Sequence, residues 1–191
     1  MQILNYYAFK YVKIFRFLKE VLMNYNDYIS VVNDFPKKGI SFKDISPLLK
    51  DPKAFHSAIK DMCKLAEEFK ADIICGPESR AFIFGAAMAY EMNKGFVMAR
   101  KGGKLPGVVY QITYQLEYGS ATLAVPQSSF TKGQRVLLVD DLMATGGTFK
   151  ALQDLVTMAG ATPVGAVTLI NLKEFEDSVV FKLKCKSLLD L

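Results

Sequence analysis

One segment, residues 135–148 (RVLLVDDLMATGGT), constrains the fold of this 191-residue chain more than any other. Four apolar residues lead into Asp140 and Asp141, and a loop with two adjacent glycines then opens a stretch of helical pattern. Ligands of open parallel sheets bind at the carboxyl ends of strands, and the unpaired amides of a helix N-terminus bind phosphate. The segment therefore predicts a strand, a phosphate-binding loop and a helix in direct succession.

Two different ligand groups are predicted for this segment. Two adjacent carboxylates would repel a phosphate, so we expect Asp140 and Asp141 to face sugar hydroxyls or a metal instead. A phosphorylated sugar satisfies both requirements, with its phosphate in the loop and its hydroxyls on the acids. The pattern matches neither a Walker A loop nor a dinucleotide-binding glycine fingerprint. The predicted phosphate loop consists of Ala144, Thr145, Gly146, Gly147 and Thr148.

The rest of the chain alternates between short apolar runs and stretches of helical periodicity. Strands are predicted at residues 72–75, 96–99, 120–125, 135–139 and 164–170, and helices at residues 52–69, 81–92 and 146–159. Such alternation is typical of βαβ units with a parallel sheet. The sequence therefore predicts an α/β fold, with a central, mainly parallel sheet flanked by helices. Residues 101–119 are polar and rich in glycine and aromatic side chains, which predicts a long functional loop.

Composition and charge argue against several classes of protein. No run of about 18 apolar residues is present, so we expect no transmembrane helix and no stable membrane association. The three cysteines form no C-x-x-C pair, which favours a reducing, cytoplasmic location over a disulfide framework or a zinc site. The single histidine, His56, argues against a Ser-His-Asp hydrolase. Residues 1–22 supply +3 of the net charge of +5, and the near-neutral remainder argues against nucleic-acid binding.

Residues 1–22 are aromatic and basic and stand apart from the rest of the chain. Basic residues recur at every third position from Lys10 to Lys19, which favours a helix and interrupts any apolar core of a secretory signal. Three interpretations are open: a membrane-surface helix, an extra packed helix, or residues translated upstream of a true start at Met23. We favour the last two, and predict an N-terminal extension, 1–22, ahead of one domain, 23–191.

Five blocks of sequence resemble the type I phosphoribosyltransferases, and within that superfamily the adenine phosphoribosyltransferase family. Residues 135–148 resemble the superfamily's signature for 5-phosphoribosyl 1-diphosphate (PRPP). The blocks follow the family's order, and the resemblance extends from about residue 28 to the C-terminus. The other four blocks are FPKKGISFKDISPLL (35–49), ESRAFIFG (78–85), RKGGKLPG (100–107) and YQLEYG (114–119).

The resemblance implies a type I phosphoribosyltransferase fold with a small base-binding hood, formed by residues near 28–50 and the C-terminal tail. It implies that the protein converts adenine and PRPP to AMP and pyrophosphate in purine salvage. It also implies a homodimer, with Arg100 reaching toward the partner's site, and Mg²⁺ as cofactor. We expect PRPP to supply most ligands of the Mg²⁺, with no direct protein ligand.

Several charged residues bind the sugar and its phosphates in the roles that the resemblance implies. Asp140 and Asp141 hold the ribose, and residues 144–148 hold the 5′-phosphate. Arg80 is also expected to be catalytic, since its planar guanidinium suits the oxygens of the departing pyrophosphate. The residues implied in pyrophosphate binding are Ser79, Arg80, Arg100, Lys101 and Lys104.

The resemblance places adenine between two apolar side chains. The base stacks on Phe42, backbone groups near Ser41 and Lys43 read its polar edge, and Leu172 lies on its other face. Glu117 falls where the family has a mobile lid, and its carboxylate is expected to be catalytic by assisting proton movement at the purine.

The match to the family pattern is incomplete, and residues 1–22 have no counterpart in it. The family commonly has glycine where Ala81 stands, so the backbone after Arg80 must tolerate a Cβ atom. The acid at Glu78 is either Asp or Glu among relatives, and we expect its identity to decide little. The C-terminal tail aligns only weakly with the family.

Two other functions stay open at this point. A transferase for hypoxanthine or xanthine would meet a 6-oxo acceptor where adenine has an amino donor, so the polarity of the base pocket decides between them. A PRPP-sensing transcription regulator would keep the fold without catalysis. It would need a DNA-binding module, and 22 extra residues are too few for a helix-turn-helix with its own core. The sequence therefore favours an enzyme.

Overall fold

The computed structural model of the protein describes residues 23–115 and 120–191. The chain divides into two compact units, Met1–Phe55 and His56–Leu191. The helix predicted within residues 1–22 lies outside the described residues, and so does Glu117. What the sequence implies for these two places therefore stays a prediction.

The described part of the first unit is built around a β-hairpin. Strands β1 (Ser30–Asn33) and β2 (Ser41–Asp44) pair in antiparallel fashion. In their connection, Asp34 has a left-handed backbone with φ at 59°. Its Oδ1 accepts a hydrogen bond from the Gly39 amide at 2.7 Å, which is how an aspartate tolerates this conformation. The short helix α1 (Ser46–Lys50) follows the hairpin.

The second unit contains a seven-stranded sheet with the strand order β5-β6-β4-β3-β7-β8-β9. Its central strands run parallel to one another, whereas β5 and β6 form an antiparallel arm attached to β4. This confirms the predicted α/β fold with a mainly parallel sheet. The strands are β3 (Ile73–Pro77), β4 (Gly95–Lys101), β5 (Val109–Gln115), β6 (Ser120–Pro126), β7 (Arg135–Met143), β8 (Thr162–Asn171) and β9 (Cys185–Asp190).

Helices connect the parallel strands as predicted. Helix α2 (Pro52–Ala66) begins in the first unit, where Asp51 Oδ1 caps it by accepting hydrogen bonds from the next turn, and it precedes β3. Helix α3 (Ala81–Glu91) connects β3 to β4, and helix α4 (Gly147–Met158) connects β7 to β8. Buried residues of α2 recur at helical spacing, which explains why its sequence forms a one-sided helix. They include Ala58, Ile59, Met62, Cys63 and Ala66.

The prediction of one long loop over residues 101–119 was wrong in part. Strand β5 occupies its second half and pairs with β6 along its whole length. Tyr110, Ile112 and Tyr114 pack against the hydrophobic core, while the side chain of Thr113 between them is exposed. This alternation is the period of a half-buried strand, and the glycine and aromatic content of the segment had obscured it.

The C-terminal tail, which the resemblance assigned to the hood, adds a strand to the central sheet. Strand β9 pairs in parallel with β8. Glu68, two residues after α2, contacts the beginning of this strand, with its carboxylate oxygens 2.8 Å from Nζ of Lys184, just before the strand, and 2.5 Å from Lys186 Nζ. Parallel neighbours need a crossover between them, so no tight turn in the sequence announces this pairing.

Candidate active site

The carboxyl ends of the central strands bring several predicted site residues to one edge of the sheet. Pro77 of β3 lies opposite Ala99 of β4, and Cys75 of β3 lies opposite Leu138 of β7. The segment 78–80 therefore leaves β3 between the end of β4, which carries Arg100, and the end of β7, which carries the two aspartates. This is the edge at which open parallel sheets bind their ligands.

The predicted ribose acids lie inside strand β7, which continues to Met143 rather than ending at residue 139. Asp141 is only 3% exposed, and its Oδ2 lies 3.0 Å from Nε of Arg80. Arg80, implied in pyrophosphate binding, thus contacts one of the two acids predicted to hold the ribose. The pair joins two residues 61 positions apart in the sequence, so it depends on the adjacency of β3 and β7.

Asp140 differs from its neighbour because no ion pair joins it to a cation among the described residues, although the nearby charge of Arg80 acts on it. Its Oδ1 accepts a hydrogen bond from the backbone amide of Asp141 at 2.8 Å. Burial raises the pKa of the Asp140 carboxyl well above its ordinary value, the charge of Asp141 raises it further, and the charge of Arg80 lowers it by less. A ligand that donates hydrogen bonds to this carboxylate would favour its ionised form, as sugar hydroxyls do.

The predicted phosphate loop connects β7 to helix α4. Gly146 has a left-handed backbone with φ at 75° and immediately precedes the first turn of the helix. The first amides of a helix have no intrahelical acceptor and point along the axis, so this turn is suited to an anion. The Thr145 carbonyl accepts a hydrogen bond from the Val180 amide at 2.9 Å, which ties the loop to the segment that precedes β9. The Thr148 hydroxyl lies 3.4 Å from the hydroxyl of Tyr114 on β5.

The cations implied in pyrophosphate binding are distributed around the ends of β3 and β4. Arg100 and Lys101 end β4, and Lys104 lies in the exposed connection that follows. Ser79 and Arg80 precede α3, and the peptide bond between Glu78 and Ser79 is cis. The buried Ala81 is accommodated because Gly76 opposite it has no side chain: a Cβ added there would lie 3.0 Å from Ala81 Cβ.

Glu78 lies among the residues implied in pyrophosphate binding, although the sequence analysis gave it no role of its own. Its Oε2 accepts hydrogen bonds from Arg100 Nε at 3.2 Å and from the Lys101 amide at 3.1 Å, and its Oε1 accepts one from Arg100 Nη2 at 3.4 Å. These bonds, with that from Arg100 contributing most, hold the pKa of the Glu78 carboxyl below its usual range. The sequence did carry a signal for it, namely an acid at the end of a strand, two residues before Arg80.

The residues implied in adenine binding belong to different units. Ser41, Phe42 and Lys43 lie on β2 of the first unit, where the Phe42 ring packs edge-on against Phe35 with 5.2 Å between centroids. Lys43 Nζ donates a hydrogen bond to Ser41 Oγ at 3.2 Å. Leu172 directly follows β8 in the second unit and is 8% exposed.

Within residues 23–115 and 120–191, no cluster of three or more His, Cys, Asp or Glu side chains is arranged to hold a metal ion. Among the same residues, no helix is both long and apolar enough to cross a membrane. All three cysteines lie in these ranges and are free thiols, with Cys63 and Cys75 buried. Burial raises the pKa of Cys63 to about 11 and that of Cys75 to about 12, so neither is a reactive thiolate at neutral pH.

Comparison with known proteins agrees with this geometry. A family model described as the phosphoribosyl transferase domain matches residues 46–186. The adenine phosphoribosyltransferase of Symbiobacterium thermophilum is 50% identical over 152 residues, which cover 80% of this chain and 89% of that protein.

Solved structures of similar proteins agree as well. The adenine phosphoribosyltransferase of Thermoanaerobacter pseudethanolicus superimposes with a TM-score of 0.83 at 42% identity, covering 87% of this chain and 97% of that one. The Saccharomyces cerevisiae enzyme, complexed with an imino-altritol bisphosphate and adenine, superimposes with a TM-score of 0.80 at 34% identity, covering 86% and 96%. With the signature loop, the acid pair and the fold all in place, this chain belongs to the phosphoribosyltransferases, and within them to the adenine phosphoribosyltransferase family.

Proposed function

We propose that this protein is a purine salvage enzyme that transfers the phosphoribosyl group of PRPP to adenine, giving AMP and pyrophosphate. The observation that carries the proposal is the convergence of a helix N-terminal phosphate loop, two aspartates and Arg80 at one sheet edge, with Arg80 Nε 3.0 Å from Asp141. The relatives that share this chain's sequence over most of their length are named for the same reaction.

The reaction breaks the bond between C1′ of PRPP and the diphosphate oxygen and forms a bond from C1′ to N9 of adenine. C1′ becomes oxocarbenium-like as the diphosphate leaves, as in glycoside cleavage. Asp140 and Asp141 would hold the ribose hydroxyls, and residues 144–148 the 5′-phosphate. Arg80 and the cations of residues 100–104 would neutralise the departing diphosphate, where most of the charge develops. Holding both reactants in line supplies much of the remaining acceleration.

Mg²⁺ fits this site as an ion held largely by the substrate. Asp141 is already paired with Arg80, so the chain's own carboxylates do not form a complete cage of hard oxygen ligands. The phosphates and hydroxyls of PRPP would supply the missing ligands, and the bound Mg²⁺ would neutralise charge on the diphosphate. For adenine the proposal follows the family resemblance alone, which assigns the stacking to Phe42 and Leu172 and the reading of the polar edge to the backbone near Ser41 and Lys43. The free thiols suit a cytoplasmic enzyme.

A comparison of bases tests the proposed function. Pyrophosphate release from PRPP is measured with adenine, guanine, hypoxanthine or xanthine offered separately, using the full chain and a variant that lacks residues 1–22. We expect kcat/KM with adenine to exceed that with each other base by at least about tenfold, since a site built for an amino donor rejects a 6-oxo acceptor. We expect the shortened chain to keep this activity, because we propose that residues 23–191 form the whole transferase domain. A preference for another base would show a transferase for that base instead, and binding of duplex DNA without turnover would show a regulator.

Glu117 is proposed as a catalytic residue of the segment that follows β5. A carboxylate there would accept the proton that an imidazole nitrogen of adenine must lose, or hold one against it, as N9 attacks, and such help is worth about 10²–10⁴-fold. We expect Glu117→Leu to lower kcat at least about tenfold with a smaller change in the KM for PRPP, and Glu117→Gln to fall between the two. A wild-type kcat in the leucine variant would assign Glu117 to an ordinary solvated position.

We also propose that the protein is a homodimer, and one face of helix α3 supports this. The α3 face consists of Ile83, Ala86, Ala87 and Tyr90, which recur at helical spacing and are apolar or aromatic. Ile83 is 41% exposed and Tyr90 is 89% exposed. Contiguous exposed apolar side chains of this kind mark association surfaces, and twofold dimers are the commonest assemblies that use them.

Light scattering coupled to size exclusion tests the dimer. We expect the wild-type protein to have twice the mass of one chain, and the double variant Ile83→Glu/Tyr90→Glu to have the mass of a single chain, because burying two carboxylates in an apolar interface is costly. Met158→Glu is the matched control, since Met158 is 51% exposed on helix α4, away from the α3 face, and should leave the mass unchanged. A monomeric wild type would refute the dimer, and a dimeric double variant would show that the interface does not use the α3 face.

A further inference from the structure

Glu78 connects two cationic segments of the site that are far apart in the sequence. Its backbone amide donates a hydrogen bond to the Ala99 carbonyl at 2.8 Å, continuing the pairing of β3 with β4 by one residue. This places its carboxylate next to Arg100 and to the amide of Lys101. The Glu78 side chain is 19% exposed and that of Arg100 is 33% exposed, so the pair is sheltered from water but open on one side.

We propose that Glu78 is a positioning residue for pyrophosphate, which fixes the guanidinium of Arg100 and the end of β4 in the orientation that receives the diphosphate. The inference deepens the proposed function and rests on it. The role is distinct from that of Arg80, because Arg80 is paired with Asp141 on the other side of β3.

The geometry of the guanidinium supports this role. Glu78 accepts from Nε and from one hydrogen of Nη2, which leaves Nη1 and the outer hydrogen of Nη2 to donate to a phosphate oxygen. A free arginine would have to order a long side chain when the ligand binds, and that loss of rotamer freedom weakens binding. An arginine that a carboxylate already holds is ordered before the diphosphate binds, so it loses less rotamer freedom on binding.

The hydrogen bond to the Lys101 amide adds a second effect. Lys101 is the last residue of β4, and the connection containing Lys104 begins there. By holding this amide, Glu78 determines where the basic connection leaves the sheet. Glu78 therefore orients one cation through its side chain and the following ones through their backbone.

The test compares pyrophosphate, which the positioned cations would bind, with AMP, which lacks a diphosphate. Magnesium pyrophosphate and AMP are titrated separately into the intact protein by calorimetry, and both are measured as product inhibitors. We expect Glu78→Ala to weaken pyrophosphate binding and raise the KM for PRPP about tenfold, while AMP binding changes by less than about twofold. Glu78→Gln, which keeps the length and one acceptor, should lie between Glu78→Ala and the wild type.

A matched control and a double-mutant cycle separate positioning from general damage. Glu68 also joins two basic residues, Lys184 and Lys186, but at the opposite, amino-terminal end of the sheet, so Glu68→Gln should leave both affinities unchanged. Once Arg100→Ala is present, adding Glu78→Ala should weaken pyrophosphate binding little further, because the two residues act as a unit.

Three results would overturn the inference: wild-type pyrophosphate binding in Glu78→Ala, equal weakening of pyrophosphate and AMP, or additive effects in the cycle. Failure of the wild-type protein to turn over adenine would reject the proposed function instead, and the calorimetric comparison would still decide the role of Glu78.

Discussion

Replacing Asp140 with asparagine is expected to make the protein more stable to heat at neutral pH while lowering kcat/KM for PRPP about tenfold to hundredfold. Burial and the neighbouring charge of Asp141 raise the pKa of Asp140, so its ionised form is costly in the folded chain. Asparagine removes that charge, and its side-chain oxygen can still accept the bond from the Asp141 amide. The loss of activity follows because the charged acceptor for the ribose hydroxyls is gone.

The pH dependence of this stability gain has a definite sign. The folded chain binds the Asp140 proton more tightly than the unfolded chain, so the wild type loses stability as pH rises from the ordinary value of 3.8 toward the raised pKa. The advantage of the Asp140→Asn variant should therefore vanish in acid and be complete above the raised pKa. Thermal unfolding followed across this range measures it directly.

Asp141→Asn is the contrasting variant, because it removes the partner of Arg80. We expect a similar loss in kcat/KM for PRPP, but a loss of stability of about 1–3 kcal/mol, since the substitution removes the charge that Arg80 is paired with. Activity thus falls in both variants, whereas stability moves in opposite directions. If both variants keep wild-type kinetics, the two aspartates do not hold the ribose. If Asp140→Asn lowers the stability, the ionised Asp140 carboxylate is not costly in the folded chain.

Replacing Gly146 with alanine is expected to raise the KM for PRPP about tenfold to hundredfold and to lower the free energy of unfolding by about 1–3 kcal/mol. Gly146 has φ at 75°, and an added Cβ atom would lie 2.9 Å from the Cβ of Phe181 and 3.3 Å from its amide nitrogen. Phe181 is 4% exposed and cannot swing away, because the contact is with atoms at and next to its backbone. The phosphate loop must therefore shift, and the amides that would hold the 5′-phosphate shift with it.

Gly160→Ala separates the conformational cost from the displacement of the loop. Gly160 has a similar φ of 80°, but nothing lies within 4 Å of an added Cβ atom there. We expect this variant to lose only the stability that a left-handed alanine costs, about 1 kcal/mol, with unchanged kinetics. Denaturant unfolding and steady-state kinetics on both variants check the comparison. Equal kinetic effects at the two positions, or none at Gly146, would show that the loop does not hold the phosphate.

Much of the fold follows from local patterns in the sequence. The apolar run before Asp140 predicts a buried strand, and the glycines after it predict the turn into helix α4. Both predictions are confirmed, because the apolar run and the backbone freedom of glycine are local features that can be seen in a short stretch of sequence. The same reasoning failed at β5, where the alternation was present but read as a loop, and at β9, whose partner strand is reached only through a crossover.

The contacts within the candidate site could not be predicted in this way. The sequence predicted Arg80, Arg100 and Asp141 as site residues, but not that Arg80 lies against Asp141 or that Glu78 holds Arg100. These pairs join residues on separate strands, and whether two such side chains meet depends on which strands are neighbours and on their register. Register is decided by the packing of the whole sheet, since a shift of one residue would turn each side chain to the opposite face. The sequence by itself therefore determined which chemical groups this protein carries to the edge of its sheet, and the tertiary structure decided which of them hold one another there.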